Sequence, residues 1–155
     1  MSLITKYFED TKKYKQSHGD KTIILIQVGS FFECYAMVES DGSYTGSSIN
    51  EFSRICDMSI ANKNTCVGDK KIVMAGFGLT QLEKYVKRLL DKGYTVPVIT
   101  QNIQAKNTER SLACIYSPGM YFNDDNDNLS NNTICIWLDV SKANDVIKES
   151  LMSIG

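Results

Sequence analysis

The sequence has few of the residues that metal sites and disulfide frameworks need. Its 155 residues include one histidine, His18, and five cysteines, at positions 34, 56, 66, 114 and 135. A lone histidine argues against a zinc site, and an odd number of cysteines without a C-x-x-C pair argues against a disulfide framework. We therefore predict no metal site and an intracellular, reducing compartment.

Long apolar runs are absent as well. The longest aliphatic stretch, "IILI" at 23–26, is far shorter than the about 20 residues that span a bilayer, and the N-terminus reaches charged residues too early for a secretory signal. We predict no membrane contact. The net charge of −1 gives no overall attraction to nucleic acid, so any DNA contact needs locally grouped lysines.

Common catalytic motifs are also missing. The sequence contains no G-x-x-x-x-G-K-[ST], G-x-S-x-G or H-E-x-x-H, which excludes a phosphate-binding loop, a serine nucleophile elbow and a zinc protease helix of those types. Asp139 in "IWLDVS" is the best catalytic candidate, because nucleases of the ribonuclease H type place a metal-binding aspartate on a strand. Their other carboxylates would have to come from beyond residue 155, so we predict no catalytic residue here.

Hydrophobic periodicity predicts an α/β fold of the α+β type, in which helices flank a mixed central sheet. The predicted helices cover residues 3–17, 48–56 and 81–92. The predicted strands cover residues 22–28, 31–38, 71–76, 94–101 and 111–117. Ser48 and Thr80 begin capping boxes at two of the helix starts, and Pro97 favours an edge strand or a bulge. Three residues should lie in the core: Ile24, Ile26 and Leu89.

The segment "GSFFECY", residues 29–35, places two phenylalanines and a glutamate directly after a glycine. In a strand, Phe31 and Glu33 project from one face and Phe32 from the other. Two interpretations are open at this point. The pair is either a partly buried aromatic with a solvated acid, or an aromatic wedge that unstacks a DNA base step beside a carboxylate that meets a base edge.

Four segments, in order along the chain, resemble motifs of the MutS family of DNA mismatch-repair proteins. They are "GSFFECY", "IVMAGF", "KGYTVPVITQ" and "ERSLACIYSPGM". The resemblance covers roughly residues 3 to 120 and is to the N-terminal mismatch-recognition domain. It implies that Phe31 is the wedge and Glu33 the base contact. The implied partner is double-stranded DNA with mismatches or small loops.

The resemblance also implies how the chain is divided. We expect a mismatch-recognition domain over residues 1–120, a polar linker over 121–132, and the truncated start of a ribonuclease H-like connector domain over 133–155. ATP and magnesium are implied only for a full-length parent, a dimeric ATPase whose P-loop region is absent here. For this part of the protein we expect no cofactor, no enzymatic activity and a monomer.

Lys63, Lys70 and Lys71 fall in one predicted polar loop and are the candidates for contacts with the DNA backbone, since loops beside a rigid sheet can reach phosphates. A merely solvated loop is the competing interpretation. Two other functions stay open: a fragment of a ribonuclease H-like nuclease, and a small α/β protein-interaction module. Metal-dependent cleavage by a longer protein would favour the nuclease, and absence of any DNA effect would favour the module.

Overall fold

The computed structural model describes residues 2–102, 109–118, 135–143 and 146–154. The chain divides into two compact units, Met1–Tyr121 and Phe122–Gly155. None of the helices in these described ranges is long and apolar enough to cross a bilayer. The predicted linker over 121–132 lies outside the described residues, so the predicted domain division stays a prediction.

The first unit is a mixed sheet with helices on both faces, which confirms the predicted fold class. Its helices are α1 (Leu3–His18), α2 (Ile49–Cys56) and α3 (Leu82–Asp91), and a 3-10 turn (Leu79–Gln81) precedes α3. Its strands are β1 (Leu25–Val28), β2 (Phe31–Val38), β3 (Tyr44–Thr45), β4 (Ala61–Val67), β5 (Lys70–Gly78), β6 (Val96–Asn102) and β7 (Glu109–Tyr116). The strands lie in the order β4-β5-β2-β1-β6-β7, with β3 paired to β2.

Strand β1 lies inside the sheet, between β2 and β6. It pairs antiparallel with β2 and parallel with β6, and the remaining pairs of this sheet are antiparallel. The chain is buried from Thr22 to Gln27, as an apolar run covered on both faces requires. The strand itself begins at Leu25 and not at residue 22, because Thr22 forms only an isolated bridge with Thr95.

The two faces of the sheet are covered by different aromatic contacts. Tyr7 of α1 meets Tyr35 of β2 edge to face, with ring centroids 5.1 Å apart. On the other face, the Phe77 ring of β5 lies 6.0 Å from Phe32 and 4.6 Å from Tyr85 of α3, centroid to centroid. The three residues predicted for the core are all buried: Ile24, Ile26 and Leu89.

The segment predicted as a polar loop with three lysines is a β-hairpin, so that prediction is wrong. Lys63 lies in β4, Lys70 and Lys71 begin β5, and only Gly68 and Asp69 connect the two strands. Strand β4 is an edge strand whose side chains are mostly exposed. It therefore shows no apolar alternation by which the sequence could have indicated it.

Neither predicted capping box forms, although both helices start where the sequence indicates. Ser48 Oγ accepts a hydrogen bond from Lys15 Nζ, at 3.0 Å, and makes no capping bond to α2. Thr80 lies inside the 3-10 turn, so α3 begins at Leu82 with Gln81 at its cap position. In both cases a neighbouring contact or turn takes the place of the local motif.

Pro97 lies in an inner strand with a register irregularity beside it, so of the two predicted positions, an edge strand or a bulge, the bulge is the one that fits. Strand β6 pairs with β1 on one side and with β7 on the other. The pairing of β6 with β7 shifts register between Val98 and Ile99, one residue after the proline. The irregularity that a proline favours is therefore present beside it.

The second unit contains an antiparallel pair of strands, β8 (Cys135–Ala143) and β9 (Val146–Ile154). The first contains "IWLDVS", the segment in which the nuclease comparison put Asp139 on a strand, and the second was not predicted. Asp139 lies opposite Ser150 in this pair. The assignment of these strands to a connector domain stays a prediction.

Candidate nucleic-acid interface

Phe31 begins β2 and is exposed to solvent. It is 53% exposed, more than any other large apolar residue among residues 2–102 and 109–118. It is paired with Val28 of β1 on one side and with Gly78 of β5 on the other. Leu79, which follows Gly78 in the chain, is 36% exposed. Single exposed apolar residues are common on protein surfaces, but neighbouring ones form a patch of the kind found at contact surfaces, so this end of the sheet is a candidate contact surface.

A hydrogen-bond network fixes the turn that precedes Phe31. Gln27 Nε2 donates to the Gly29 carbonyl oxygen at 3.1 Å, and the Gln101 backbone N–H donates to Gln27 Oε1 at 3.0 Å. The Gly29 N–H donates in turn to Gln101 Oε1 at 3.3 Å, and Arg110 Nε donates to the Gln27 carbonyl oxygen at 2.9 Å. Gly29 has a φ of +58°, which glycine adopts at little cost. Strands β6 and β7 therefore hold this turn in place.

The sequence patterns did not indicate Gln27, Gln101 or Arg110. The sequence did contain a sign that Gln27 matters, because it is a polar residue inside an apolar segment. The Gln27 side chain is only 8% exposed, and a buried amide needs hydrogen-bond partners. Gln101 and Arg110 face each other across β6 and β7. Nothing local in the sequence indicates that both reach back to β1.

Glu33 lies on the same face of β2 as Phe31 but is buried. It is 5% exposed, its Oε2 lies 2.7 Å from Lys63 Nζ, and the same oxygen accepts a hydrogen bond from the Tyr35 hydroxyl. The interpretation of a partly buried aromatic with a solvated acid is therefore wrong, because the aromatic is exposed and the acid is buried. The ion pair provides the partner that a buried carboxylate requires.

The two donors to Glu33 form a compact cluster with it. Burial, followed by the hydrogen bond to Glu33, raises the pKa of the Tyr35 phenol, so the hydroxyl keeps its proton and donates it. The Lys63 ammonium lies 5.5 Å from the centroid of the Tyr35 ring and 3.6 Å from Met74 Sδ. Because both partners donate to the same oxygen, the Glu33 carboxyl acts as an acceptor in this structure.

Gly76 provides the space for the Glu33 side chain. Gly76 of β5 is paired directly with Glu33 of β2. A Cβ atom built on Gly76 would lie 2.5 Å from the Phe32 carbonyl oxygen and 3.2 Å from Glu33 Cγ, both closer than ordinary contacts. A side chain here would collide with the backbone of β2, so glycine leaves the room for Lys63, one strand further out, to reach the carboxylate.

The three lysines predicted to contact DNA do not lie together. Lys63 belongs to the ion pair just described. Lys70 Nζ lies 2.6 Å from Glu39 Oε1, and Lys71 is exposed. Both begin β5, whose other end pairs with Phe31 at Gly78, so they lie about 25 Å along the sheet from Phe31 at the usual rise of about 3.3 Å per residue. Their role in DNA contact stays a prediction.

Four cysteines among residues 2–102 and 109–118 are free: Cys34 and Cys56 are buried, and Cys66 and Cys114 are exposed. Burial raises the pKa of Cys34 to about 11 and that of Cys56 to about 12, so both remain thiols near neutral pH. Within the described ranges, no three histidine, cysteine, aspartate or glutamate side chains are grouped so that they could hold a metal ion.

Comparisons with known proteins place the chain beside mismatch-repair proteins. The family model of MutS domain I matches residues 4–125. A putative DNA mismatch repair protein mutS homolog, L359 of Acanthamoeba polyphaga mimivirus, is 26% identical over 155 residues, which is 99% of this chain and 14% of that protein. MutS 2 of Halobacterium salinarum is 27% identical over 128 residues, 79% of this chain and 13% of that protein.

A third relative is mitochondrial. The mitochondrial DNA mismatch repair protein mutS homolog of Sarcophyton glaucum is 26% identical over 139 residues, 77% of this chain and 14% of that protein. The chain thus spans about a seventh of the length of these curated relatives. The similarity concerns this part of those proteins and not their other regions.

Proposed function

Because this chain belongs to the MutS domain I family, we propose that it recognises mispaired or unpaired bases in double-stranded DNA, with Phe31 as the wedge and Glu33 as the base contact. The observation that carries the proposal is the exposure of Phe31, at 53%, on a strand whose next five residues are buried. An apolar side chain inserted between base steps unstacks them and kinks the duplex. A mispaired step costs less to unstack than a paired one.

The network around Gln27 supports this role because it makes the wedge rigid. A side chain that is held in its binding position before it meets DNA loses less conformational freedom on binding. Gln27 and Gln101 tie the turn before Phe31 to a neighbouring strand, and the strand after it is buried from Phe32 to Ala36. The wedge therefore stands on a fixed base.

The proposed function is tested by the binding of the intact protein to duplexes that differ at one base pair. We expect tighter binding to a duplex with a central mismatch or one unpaired base than to the matched duplex. We also expect energy transfer between dyes at the two ends to rise on binding, because the kinked duplex brings them closer. Equal affinity for matched and mismatched duplexes would contradict the proposal.

Replacement of Lys63, Lys70 and Lys71 by glutamine is expected to flatten the salt dependence of binding to matched and mismatched DNA alike. Each lost phosphate contact lowers the slope of log affinity against log salt by about 0.9. The measurement is a salt titration of both duplexes. The control replaces three lysines at the α3 helix: Lys84, Lys87 and Lys92. An unchanged slope in the first variant would remove the three lysines from the interface.

Glu33→Ala is expected to tighten binding to matched DNA and to reduce discrimination more than it reduces affinity. The substitution removes a negative charge and leaves the Lys63 ammonium, whose side chain is 31% exposed, free to attract phosphates. The measurement compares affinities for matched and single-mismatch duplexes. Glu33→Gln keeps the shape of the side chain and serves as control. Weaker binding of Glu33→Ala to matched DNA would contradict this charge argument.

The ATPase activity, the magnesium and the dimerisation that the family implies for a longer protein stay predictions for that protein. The same holds for the reducing compartment. No observation on the described residues favours the nuclease or the protein-interaction module over mismatch recognition. We therefore keep one proposed function.

A further inference from the structure

We propose that Gln101 is a positioning residue of the site: it fixes the turn before Phe31 and so sharpens the preference for mismatched DNA without contacting the DNA. This role rests on the proposed function and extends it from the residue that enters the duplex to one that prepares the entry. Gln101 belongs to β6, which lies two strands away from β2 in the sheet.

The backbone pairing of β1 with β6 ends before it reaches the turn. Its last paired residues are Ile26 and Ile99. Beyond them the two strands are joined through side chains, because the Gln101 N–H donates to Gln27 Oε1 at 3.0 Å and Gln101 Oε1 accepts from the Gly29 N–H at 3.3 Å. The link between the turn and β6 can therefore be removed without breaking the strand pairing.

The backbone groups of the turn are held from several sides. The Gly29 N–H donates to Gln101, and the Gly29 carbonyl oxygen accepts from Gln27 Nε2 at 3.1 Å. The carbonyl oxygen of Ser30 accepts from the Leu79 N–H at 3.1 Å. Gly29 has a φ of +58°, and Phe31 follows two residues later. The direction in which Phe31 leaves the turn therefore depends on the torsions that these bonds fix.

A loose turn would weaken binding to mismatched DNA and spare binding to matched DNA. Fixing the backbone of one residue lowers an equilibrium constant about 5- to 30-fold, and a turn that is already held has met this cost before DNA arrives. Only a mismatched duplex takes up the wedge and so requires the fixed turn. The effect of Gln101 should therefore appear only where Phe31 is inserted.

Gln101→Met tests this role, because methionine has a similar length and lacks the acceptor oxygen. Gly29 is exposed, so water can satisfy its N–H group and the variant should fold. We expect the affinity of the intact protein for a single-mismatch duplex to fall about fivefold or more, and the affinity for the matched duplex to change little. Backbone order parameters of Gly29 and Ser30 in the free protein should fall from about 0.85 to below about 0.6.

Gln101→Glu keeps an acceptor oxygen at the same place in the side chain and should keep the wild-type ratio of the two affinities. Its added charge is repelled by phosphates in both duplexes, so the ratio is the quantity to compare. Thr100→Val is the matched control, because it changes the adjoining residue of β6 with a similar shape and leaves the bonds of Gln101 in place. It should change neither the ratio nor the order parameters.

The double variant Phe31→Ala with Gln101→Met separates positioning from direct contact. If Gln101 acts only through the wedge, its substitution has no effect on mismatch binding once the wedge is absent. A residue that contacts DNA, or one that only stabilises the fold, keeps its effect in the Phe31→Ala background. The double variant thus gives a result that a merely structural role of Gln101 would not give.

The outcomes separate this inference from the proposed function. If the wild type does not prefer mismatched DNA, the proposed function fails and this role fails with it. If the wild type prefers mismatched DNA but Gln101→Met keeps the wild-type ratio, the function stands and the role of Gln101 is overturned. Equal losses in Gln101→Met and Gln101→Glu, or a loss that persists without Phe31, overturn it as well. If Gln101→Met does not fold, Gln101→Ala, which also lacks the acceptor, gives the same comparison.

Discussion

Phe31→Ala is expected to remove most of the preference for mismatched DNA while the protein stays folded. Stacking of an aromatic side chain on a base contributes about 1–3 kcal/mol, which corresponds to about a 5- to 150-fold loss in affinity for the mismatched duplex. Phe31 is 53% exposed, so its removal takes little buried surface from the fold. Binding to matched DNA should change far less, because the wedge is not inserted there.

The measurement combines affinities for matched and single-mismatch duplexes with thermal melting of the same variants. Leu112→Ala is the matched control, because Leu112 is also a large exposed apolar residue, at 43%, and lies on the edge strand β7. It should leave discrimination intact. If Phe31→Ala discriminates as well as the wild type and melts several degrees lower, Phe31 is an ordinary structural residue and its assignment as wedge is wrong.

Phe32→Ala is expected to have the opposite effect, a loss of about 3–5 kcal/mol in the free energy of unfolding. Phe32 is 3% exposed and packs against the Phe77 ring at 6.0 Å, so its removal leaves a cavity between the sheet and the helices on that face. Urea denaturation measures the loss. Phe32→Leu retains most of the volume and should lose less than half as much.

At temperatures where Phe32→Ala remains folded, its preference for mismatched DNA should persist, since Phe31 and Glu33 are unchanged. A loss of discrimination without a loss of stability would contradict the division between the two phenylalanines. Opposite results for neighbouring residues of one type would be hard to explain by composition or by a general loss of structure. They follow from the two faces of a single strand.

The features that the sequence predicted are those with local periodicity. Alternation in β2 correctly placed Phe31 and Phe32 on opposite faces, and helical spacing located α1, predicted over residues 3–17 and observed over Leu3–His18. Such patterns arise because each residue is near its neighbours in both chain and space. The resemblance to MutS then selected the wedge interpretation.

The features that escaped prediction depend on contacts between distant parts of the chain. The ion pair of Glu33 with Lys63 joins residues 30 positions apart, and the contact of Gln27 with Gln101 joins residues 74 apart. The edge strand β4, which carries Lys63, has no apolar alternation because solvent covers most of it. Local patterns contain no information on such pairs, so the partner of the buried carboxylate could not be named in advance.

The ion pair also determines the alignment of β2. Phenylalanine stands at both 31 and 32, so a slip of one residue would still place one ring inside and one outside, and the apolar pattern alone hardly opposes it. Glu33 does oppose it, because the slip would turn its carboxylate toward the Phe77 face, away from Lys63 and Tyr35, and an unpaired buried charge costs about 3–5 kcal/mol. The charged residue thus decides which of two identical neighbours faces outward.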